Sequence, residues 1–366
     1  MTNMTQRSET HHTDVAIIGA GPVGLFAIFE LGMLNIKCHV IDALDSVGGQ
    51  CAALYPEKPI YDIPAHPAID GLALVQQLHA QAEPFAPTYH LNQQVISLSR
   101  HPERSEGPRA AEGGSSPSAQ NDDYMFTLTT STGTIITCKA VIIAAGCGAF
   151  GPNRPPLEGL AMYEEAGSVR YMVTRKEQFR DKRVVIAGGG DSAVDWAVAL
   201  ADVAAHIDVV HRRDKFRAAP EMVSQMNALA ASGKINMVVP YQLDGLEGSN
   251  GQLTGVRVST LDGQSKVLEA DYLLPFYGLA MELGPIADWG LGLEHNHIAV
   301  HAGTCETSVK GIFAIGDIAT YPHKLKLILC GFSEAAMSAH AIRNIVYPDT
   351  AYHFEYSTTK GVQSAA

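Results

Sequence analysis

Gly19, Gly21 and Gly24 have the G-x-G-x-x-G spacing that lets a backbone turn close against a pyrophosphate. The first glycine allows the turn, the second lets backbone N–H groups approach the phosphates, and the third lets a helix pack on its strand. Pro22 suits the first turn of that helix, where its missing donor is not needed. Asp42 stands 23 positions after Gly19, where a carboxylate accepts hydrogen bonds from an adenosine ribose; the plain alternative is a solvated acid at a strand end. A second fingerprint, Gly188, Gly190 and Ala193, has a different sequel: 23 positions after Gly188 comes His211, then Arg212 and Arg213, with Arg217 as a fourth candidate. A carboxylate there would repel a 2′-phosphate, whereas guanidinium groups bind one through paired, charge-assisted hydrogen bonds. The second site is therefore expected to prefer NADPH to NADH, although Arg213 or Arg217 taken singly reads equally well as a solvated helix-face cation. Asp191 and Ser192 complete the second turn and count among its cofactor-binding candidates. Two dinucleotide sites on one chain argue for a flavin paired with a nicotinamide, because a flavin accepts a hydride and releases electrons singly.

The elements needed to position these residues are legible. Asp14 to Gly19 is an apolar run of strand length, followed by the glycine turn, a helix to about Asn35 and a strand Lys37 to Asp42. The same order returns as strand Arg183 to Ala187, turn Gly188 to Ala193, helix to about Val203 and strand Ile207 to His211. Between the two units, strands are expected at Gln94 to Ser99, Tyr124 to Thr130, Thr134 to Cys138 and Val141 to Ala145. Half of the twenty residues from His101 to Gln120 are Gly, Pro or Ser, which reads as an exposed loop inserted between two strands. After the second unit come strands at Thr254 to Thr260, Tyr272 to Pro275, His297 to Val300 and Ile312 to Ile315, then a helix from about Leu329 to Val346. Gly and Pro density around Tyr277 to Pro285 marks a crossover, after which the chain is expected to return to the first unit. The expected divisions are 14–165, 166–284 and 285–366.

Composition narrows the class. A chain of 366 residues with 46% hydrophobic content has room for two cored domains. No run approaches the roughly 18 to 20 apolar residues of a membrane span, and the first 13 residues are polar, so a soluble, cytoplasmic chain is expected. A net charge of −12 opposes non-specific attraction to nucleic acid or an anionic membrane. The six cysteines contain no C-x-x-C pair and no zinc spacing.

Taken together, GAGPVG at Gly19 to Gly24, GGQC at Gly48 to Cys51, LYPEK at Leu54 to Lys58, GGGDSAVDWA from Gly188, HRR at His211 and GIFAIGDIA at Gly311 to Ala319 carry a family likeness. The chain resembles the thioredoxin-reductase-type ferredoxin:NADP⁺ reductases, also called the type 2 ferredoxin/flavodoxin–NADP reductase family, over nearly its whole length. The resemblance implies an α/β fold of two Rossmann-like (three-layer ββα) dinucleotide-binding domains, with the FAD domain discontinuous in sequence, assembled as a homodimer. It implies FAD and NADP(H) as cofactors and hydride transfer at flavin N5 followed by two one-electron steps, with no catalytic side chain required for the hydride step. By the same resemblance Asp42 binds the FAD ribose, Gln50 the flavin or its ribityl chain, Val95 the adenine through its backbone, and Asp317 a ribityl hydroxyl, while Phe150 lies along the cofactor. Tyr55 would stack on the isoalloxazine, Tyr356 would cover its other face with Thr358 nearby, and the helix near Leu329 would aim its positive end at the ring.

What is missing points to the electron acceptor. Thioredoxin reductases need a C-x-x-C upstream of the second fingerprint, where this chain reads Val169-Arg-Tyr-Met-Val-Thr-Arg175. The C-x₄-C pair of glutathione-reductase-type enzymes is also absent, since Pro56 follows Cys51 at that spacing, and Cys51 reads as a packed thiol. Electrons are then expected to leave the flavin edge for a docked ferredoxin or flavodoxin, met by a cationic rim drawn from Arg170, Arg175, Lys176, Arg180, Lys182, Arg183, Lys324 and Lys326. A flavin monooxygenase is disfavoured because the FxGxxxHxxxWP-like linker is missing. The remaining alternatives are an NADPH-dependent reductase of a quinone or external disulfide protein, and a non-turnover redox-sensing flavoprotein.

Overall fold

A computed structural model describes residues 9–102 and 124–350. The short apolar runs that open each glycine fingerprint become central strands of two parallel sheets. In the first, the strand order is Ile312–Ala314, Ala140–Ile143, Val15–Ile18, Cys38–Ile41 and Thr88–His90. Both faces of this sheet are buried, and alternate residues go to different cores. Val15, Ile17, Val40 and Ile142 pack under the helices Pro22–Met33, Gly71–Ala82 and Ile328–Val346, with Leu25, Leu31, Leu74 and Ala335. Ala16, Ile18, Ile41, Val141 and Ile143 face Phe126, Leu128 and Ile136 of a second, four-stranded sheet ordered Thr10–His12, Ile135–Cys138, Tyr124–Thr130 and Val95–Pro102. A strand buried on both faces reads as a continuous apolar run, which is why VAII and AVII carry no polar alternation.

The second unit repeats this plan. Its parallel sheet runs Ile235–Val238, His206–Val210, Arg183–Ala187 and Tyr272–Pro275. The helices Asp191–Leu200 and Pro220–Ala231 cover one face through Trp196, Leu200 and Met226. A three-stranded antiparallel sheet, Gln242–Ser249, Gln252–Ser259 and Ser265–Glu269, covers the other through Val256, Val258 and Leu268. Each unit is therefore a β–β–α sandwich.

A two-stranded ribbon, Ala149–Pro152 paired antiparallel with Leu279–Glu282, joins the units, with Phe150 opposite Met281. After it the chain returns: Ile312–Ala314 pairs in parallel with Val141–Ile143. Some expectations need correcting. The first two residues of the expected insert extend the strand Val95–Pro102, because His101 and Pro102 pair with Met125 and Tyr124; residues 103–120 lie outside the described residues. The last helix begins at Ile328, and the polar tail contains a strand, Thr10–His12, that the sequence reading did not anticipate. Among the described residues no helix is long and apolar enough to cross a membrane.

Candidate functional site

The first glycine turn is shaped by what its glycines lack. Gly19 has φ +109°, and a Cβ there would lie 2.4 Å from the Ala144 carbonyl oxygen, so only glycine lets the turn lie on the neighbouring strand. A Cβ on Gly24 would sit 2.0 Å from the Gly19 carbonyl oxygen, which fixes the helix hard against the turn. Gly21 differs: its nearest neighbour would be the Gly49 Cα at 3.9 Å, so that face of the turn opens into space.

The space is a cavity of about 460 Å³, within the range of small-molecule sites. Gly19, Gly21, Pro22, Asp42, Gln50, Tyr55, Val95 and Asp317, distant in sequence, all line it. Asp42 ends its strand and accepts the Ala20 N–H at 2.6 Å and the Leu44 N–H at 2.8 Å. Burial raises the carboxyl above its usual range while these two hydrogen bonds oppose the rise. Each carboxylate oxygen keeps a lone pair for a ligand hydroxyl. The Gln50 amide stands 3.2 Å from where a Cβ on Gly146 would be, so that glycine leaves room for it. Residues 327 and 328, at the start of the long helix, line the same cavity, which places the helix's unpaired N–H groups at its wall.

Other lining residues were not anticipated. Leu283, Pro285, Ile286 and Trp289 belong to the segment that follows the crossover and wall the cavity beside Val95, with which Leu283 and Ile286 share a core cluster. The Gly-Pro signal at 284–285 marked a break in the chain without saying that the break becomes a wall. Glu334 was also missed. It is fully buried in the long helix, and its carboxylate accepts the Gly316 N–H at 2.7 Å and the Tyr321 hydroxyl at 2.7 Å. It also pairs with Lys324, so a single carboxylate holds the Gly316–Ile318 turn that presents Asp317. A polar residue at a helical core position in the sequence was the available signal.

The second turn has the same logic with different neighbours. A Cβ on Gly188 would lie 2.6 Å from the Phe276 carbonyl oxygen and 3.0 Å from the Ala193 Cβ, so the alanine fits because the glycine facing it has no side chain. A Cβ on Gly190 would meet nothing within 4 Å, and the turn is open there as at Gly21. The His211 ring packs onto Gly189; burial, aided by the neighbouring arginines, lowers its pKa, so it acts as a neutral wall rather than a charge. Arg212, Arg213 and Arg217 are exposed, and among the described residues none is held in an ion pair. Arg217 is drawn to the turn by its N–H, which donates to the Gly189 carbonyl at 2.6 Å. Asp191 accepts the Ala219 N–H at 3.0 Å and so ties down the arginine loop, while Ser192 is exposed beside it.

Two open glycine turns, one ending in a carboxylate and one in free guanidiniums, match a known pattern: residues 13–341 fit the pyridine nucleotide-disulphide oxidoreductase family. The chain belongs to that family. It is 60% identical to a ferredoxin–NADP reductase of Granulibacter bethesdensis, over 96% of this chain and 94% of that one. It is 59% identical to a ferredoxin–NADP reductase of Gluconobacter oxydans, over 98% and 99%. Among solved structures it resembles the thioredoxin reductase of Lactococcus lactis (FR conformation), with a TM-score of 0.75 at 22% identity over 92% and 99% of the two chains. At that identity the likeness concerns the fold.

This oxidoreductase has six free cysteines. Cys51 lines the first cavity, with its Sγ 3.8 Å from the Tyr55 hydroxyl, and burial pushes its thiol up to about 11; burial also raises Cys147. Both are protonated at neutral pH and poorly suited to thiolate chemistry. Several expected rim cations are engaged internally. Lys324 is buried against Glu334, Arg183 pairs with Asp271 and Glu269, and Arg180 pairs with Glu177, which removes the first from the rim outright. Arg170 is turned inward, donating to the Gly167 carbonyl at 2.8 Å and to Gln178. Lys326 remains exposed beside the cavity-lining residue Leu327. Phe150 is on the ribbon strand, and Tyr356 and Thr358 lie outside the described residues.

Proposed function

We propose that this chain is a ferredoxin–NADP reductase, carrying electrons between NADPH and ferredoxin through FAD in the first cavity. The observation that carries the reading is the contrast between the two clefts. Asp42, with its oxygens oriented by two backbone donors, is built for ribose hydroxyls, and beside the second turn stand three exposed arginines that among the described residues are in no ion pair. When bound, FAD supplies the chemistry of hydride exchange with NADPH and stepwise release of single electrons. The chain supplies binding and exclusion. The Gly19 and Ala20 N–H groups are taken by the Ile41 carbonyl and the Asp42 carboxylate, so the start of the helix Pro22–Met33, from Gly21 on, offers its backbone N–H groups to the FAD pyrophosphate, and Asp317 accepts from the ribityl chain. Gln50 donates to the flavin, and Tyr55 closes one side of the ring pocket. The first turn of the helix Ile328–Val346 places its positive end toward the ring, where it favours added negative charge. Arg212, Arg213 and Arg217 receive the 2′-phosphate of NADPH. No relay thiol is needed, and the raised pKa of Cys51 accords with that. Flavodoxin, an acidic one-electron carrier of the same kind, is a second acceptor, and we place the enzyme in the cytoplasm as a homodimer.

The test is steady-state NADPH oxidation by the purified yellow protein, with ferredoxin coupled to cytochrome c compared against thioredoxin plus a disulfide reporter, then repeated with NADH. Fast turnover with ferredoxin and NADPH is expected. Turnover with thioredoxin alone would overturn the acceptor assignment, and equal use of NADH would overturn the arginine clamp.

A further inference from the structure

Three imidazoles from three strands meet in the seam between the two sheets of the first unit. His11 lies on Thr10–His12 at the edge of the four-stranded sheet, His39 on Cys38–Ile41, and His90 at the end of Thr88–His90 in the parallel sheet. His39 Nδ1 and His90 Nε2 are 3.0 Å apart, and the His11 ring centroid is 4.8 Å from that of His90 and 5.5 Å from that of His39. One nitrogen of each ring lies within 4.8 Å of the other two. We propose that His11, His39 and His90 form a zinc site with three protein ligands and one position left to water.

The ligand set and the spacing both favour this. Imidazole suits zinc among the late first-row divalent ions, and three histidines with an open fourth position are an established zinc arrangement. Tetrahedral bonds of 2.0–2.1 Å place ligand nitrogens about 3.3 Å apart, close to the spacing His39 and His90 already have. His11 must close by at most about 1.5 Å, which rotation about its side-chain torsions allows on an edge strand. Its side chain is 23% exposed, so the ion has an entry path, while His90 is buried and anchors the inner side. Glu9 Oε1 stands 3.6 Å from His11 Nε2, so a small shift of either side chain would bring the carboxylate into hydrogen-bond range to orient the ligating ring. A hydrogen-bonded stack without metal would use a single contact between His39 and His90 and leave His11 with the Glu9 carboxylate alone. Three strands from two sheets converge here, and zinc would fasten the Thr10–His12 strand to the parallel sheet. The site lies outside both dinucleotide clefts and does not depend on what they bind.

The experiment uses FAD-loaded protein stripped with chelator and titrated with Zn²⁺ by calorimetry, and with Co²⁺ by visible absorption to the red of the flavin bands. One equivalent per chain, bound at sub-micromolar concentration, with the d–d bands of tetrahedral cobalt, is expected. His39→Asn and His90→Asn should weaken binding by more than the roughly 10- to 100-fold that loss of an orienting partner costs. His11→Ala, at the exposed edge, should do the same in protein whose flavin spectrum shows an intact fold. His12→Ala should bind as the parent does, since His12 is on the opposite side of its strand and its Nδ1 meets Thr137 Oγ1 at 2.5 Å. Absence of stoichiometric Zn²⁺ binding would overturn the proposal, as would equal binding by the parent and His11→Ala.

Discussion

Arg212, Arg213 and Arg217 keep their charges in water beside a turn whose open face has room for a ligand. Hydrogen bonds to charged groups contribute about 1.5–3 kcal/mol each, so Arg212→Ala or Arg213→Ala should lower kcat/KM for NADPH roughly 10- to 100-fold. The same changes should leave NADH nearly untouched, and steady-state kinetics with both nucleotides checks the difference. Cys51 gives a second prediction at this scale. With its pKa at about 11, only about 1 thiol in 10⁴ is ionised at pH 7, and the thiolate population grows as pH rises toward that value. Alkylation of Cys51 should therefore be slow at neutral pH and accelerate into the alkaline range. An anaerobic titration should find two reducing equivalents per chain, whereas four would reveal a thiol pair. The places of Asp42 and the arginines beside their turns were legible because a fixed offset from a glycine turn sets them. Glu334 was not, because its function depends on contacts with Gly316, Tyr321 and Lys324 that only the folded chain assembles.

The three-residue turn Gly316–Ile318 has few internal contacts of its own and is held by the long helix through Glu334. Glu334→Gln leaves the Lys324 ammonium, with a side chain 6% exposed, without a counter-charge. The expected loss is about 3–5 kcal/mol, seen as a lower urea midpoint together with weaker FAD retention. Adding Lys324→Met should restore part of the stability, since two matched apolar groups cost less than one orphaned ion. The elements themselves were legible to unequal degrees. Strands buried on both faces stood out as apolar runs, and each glycine turn fixed where its helix begins. The strand Thr10–His12 did not stand out, because it is an edge strand with its ends exposed and carries no apolar residue. The wall formed by Leu283 to Trp289 was equally hidden, since its packing partner, Val95, is nearly two hundred residues away in sequence.

At the scale of the whole molecule the LYPEK segment joins the two units. Lys58 Nζ is 2.8 Å from Asp195 on the first helix of the second unit, and Glu57 accepts the Lys176 N–H at 2.7 Å. Tyr55 packs against both the first unit's helix-side core and the second unit's. Lys58→Ala and Asp195→Asn should each cost about 1–3 kcal/mol, and the double variant should cost less than their sum; a double-mutant cycle measured by denaturation checks the coupling. The return of the chain to its first sheet also bears on how the protein is made. The edge strand Ile312–Ala314 and the helix Ile328–Val346 leave the ribosome after every strand of the second parallel sheet has emerged. The second unit is contiguous and can close its core during translation, whereas the first must wait, with one side of Ala140–Ile143 unpaired, until Ile312–Ala314 has emerged. For that interval the nascent first unit exposes an apolar strand edge, the kind of surface that chaperones shield.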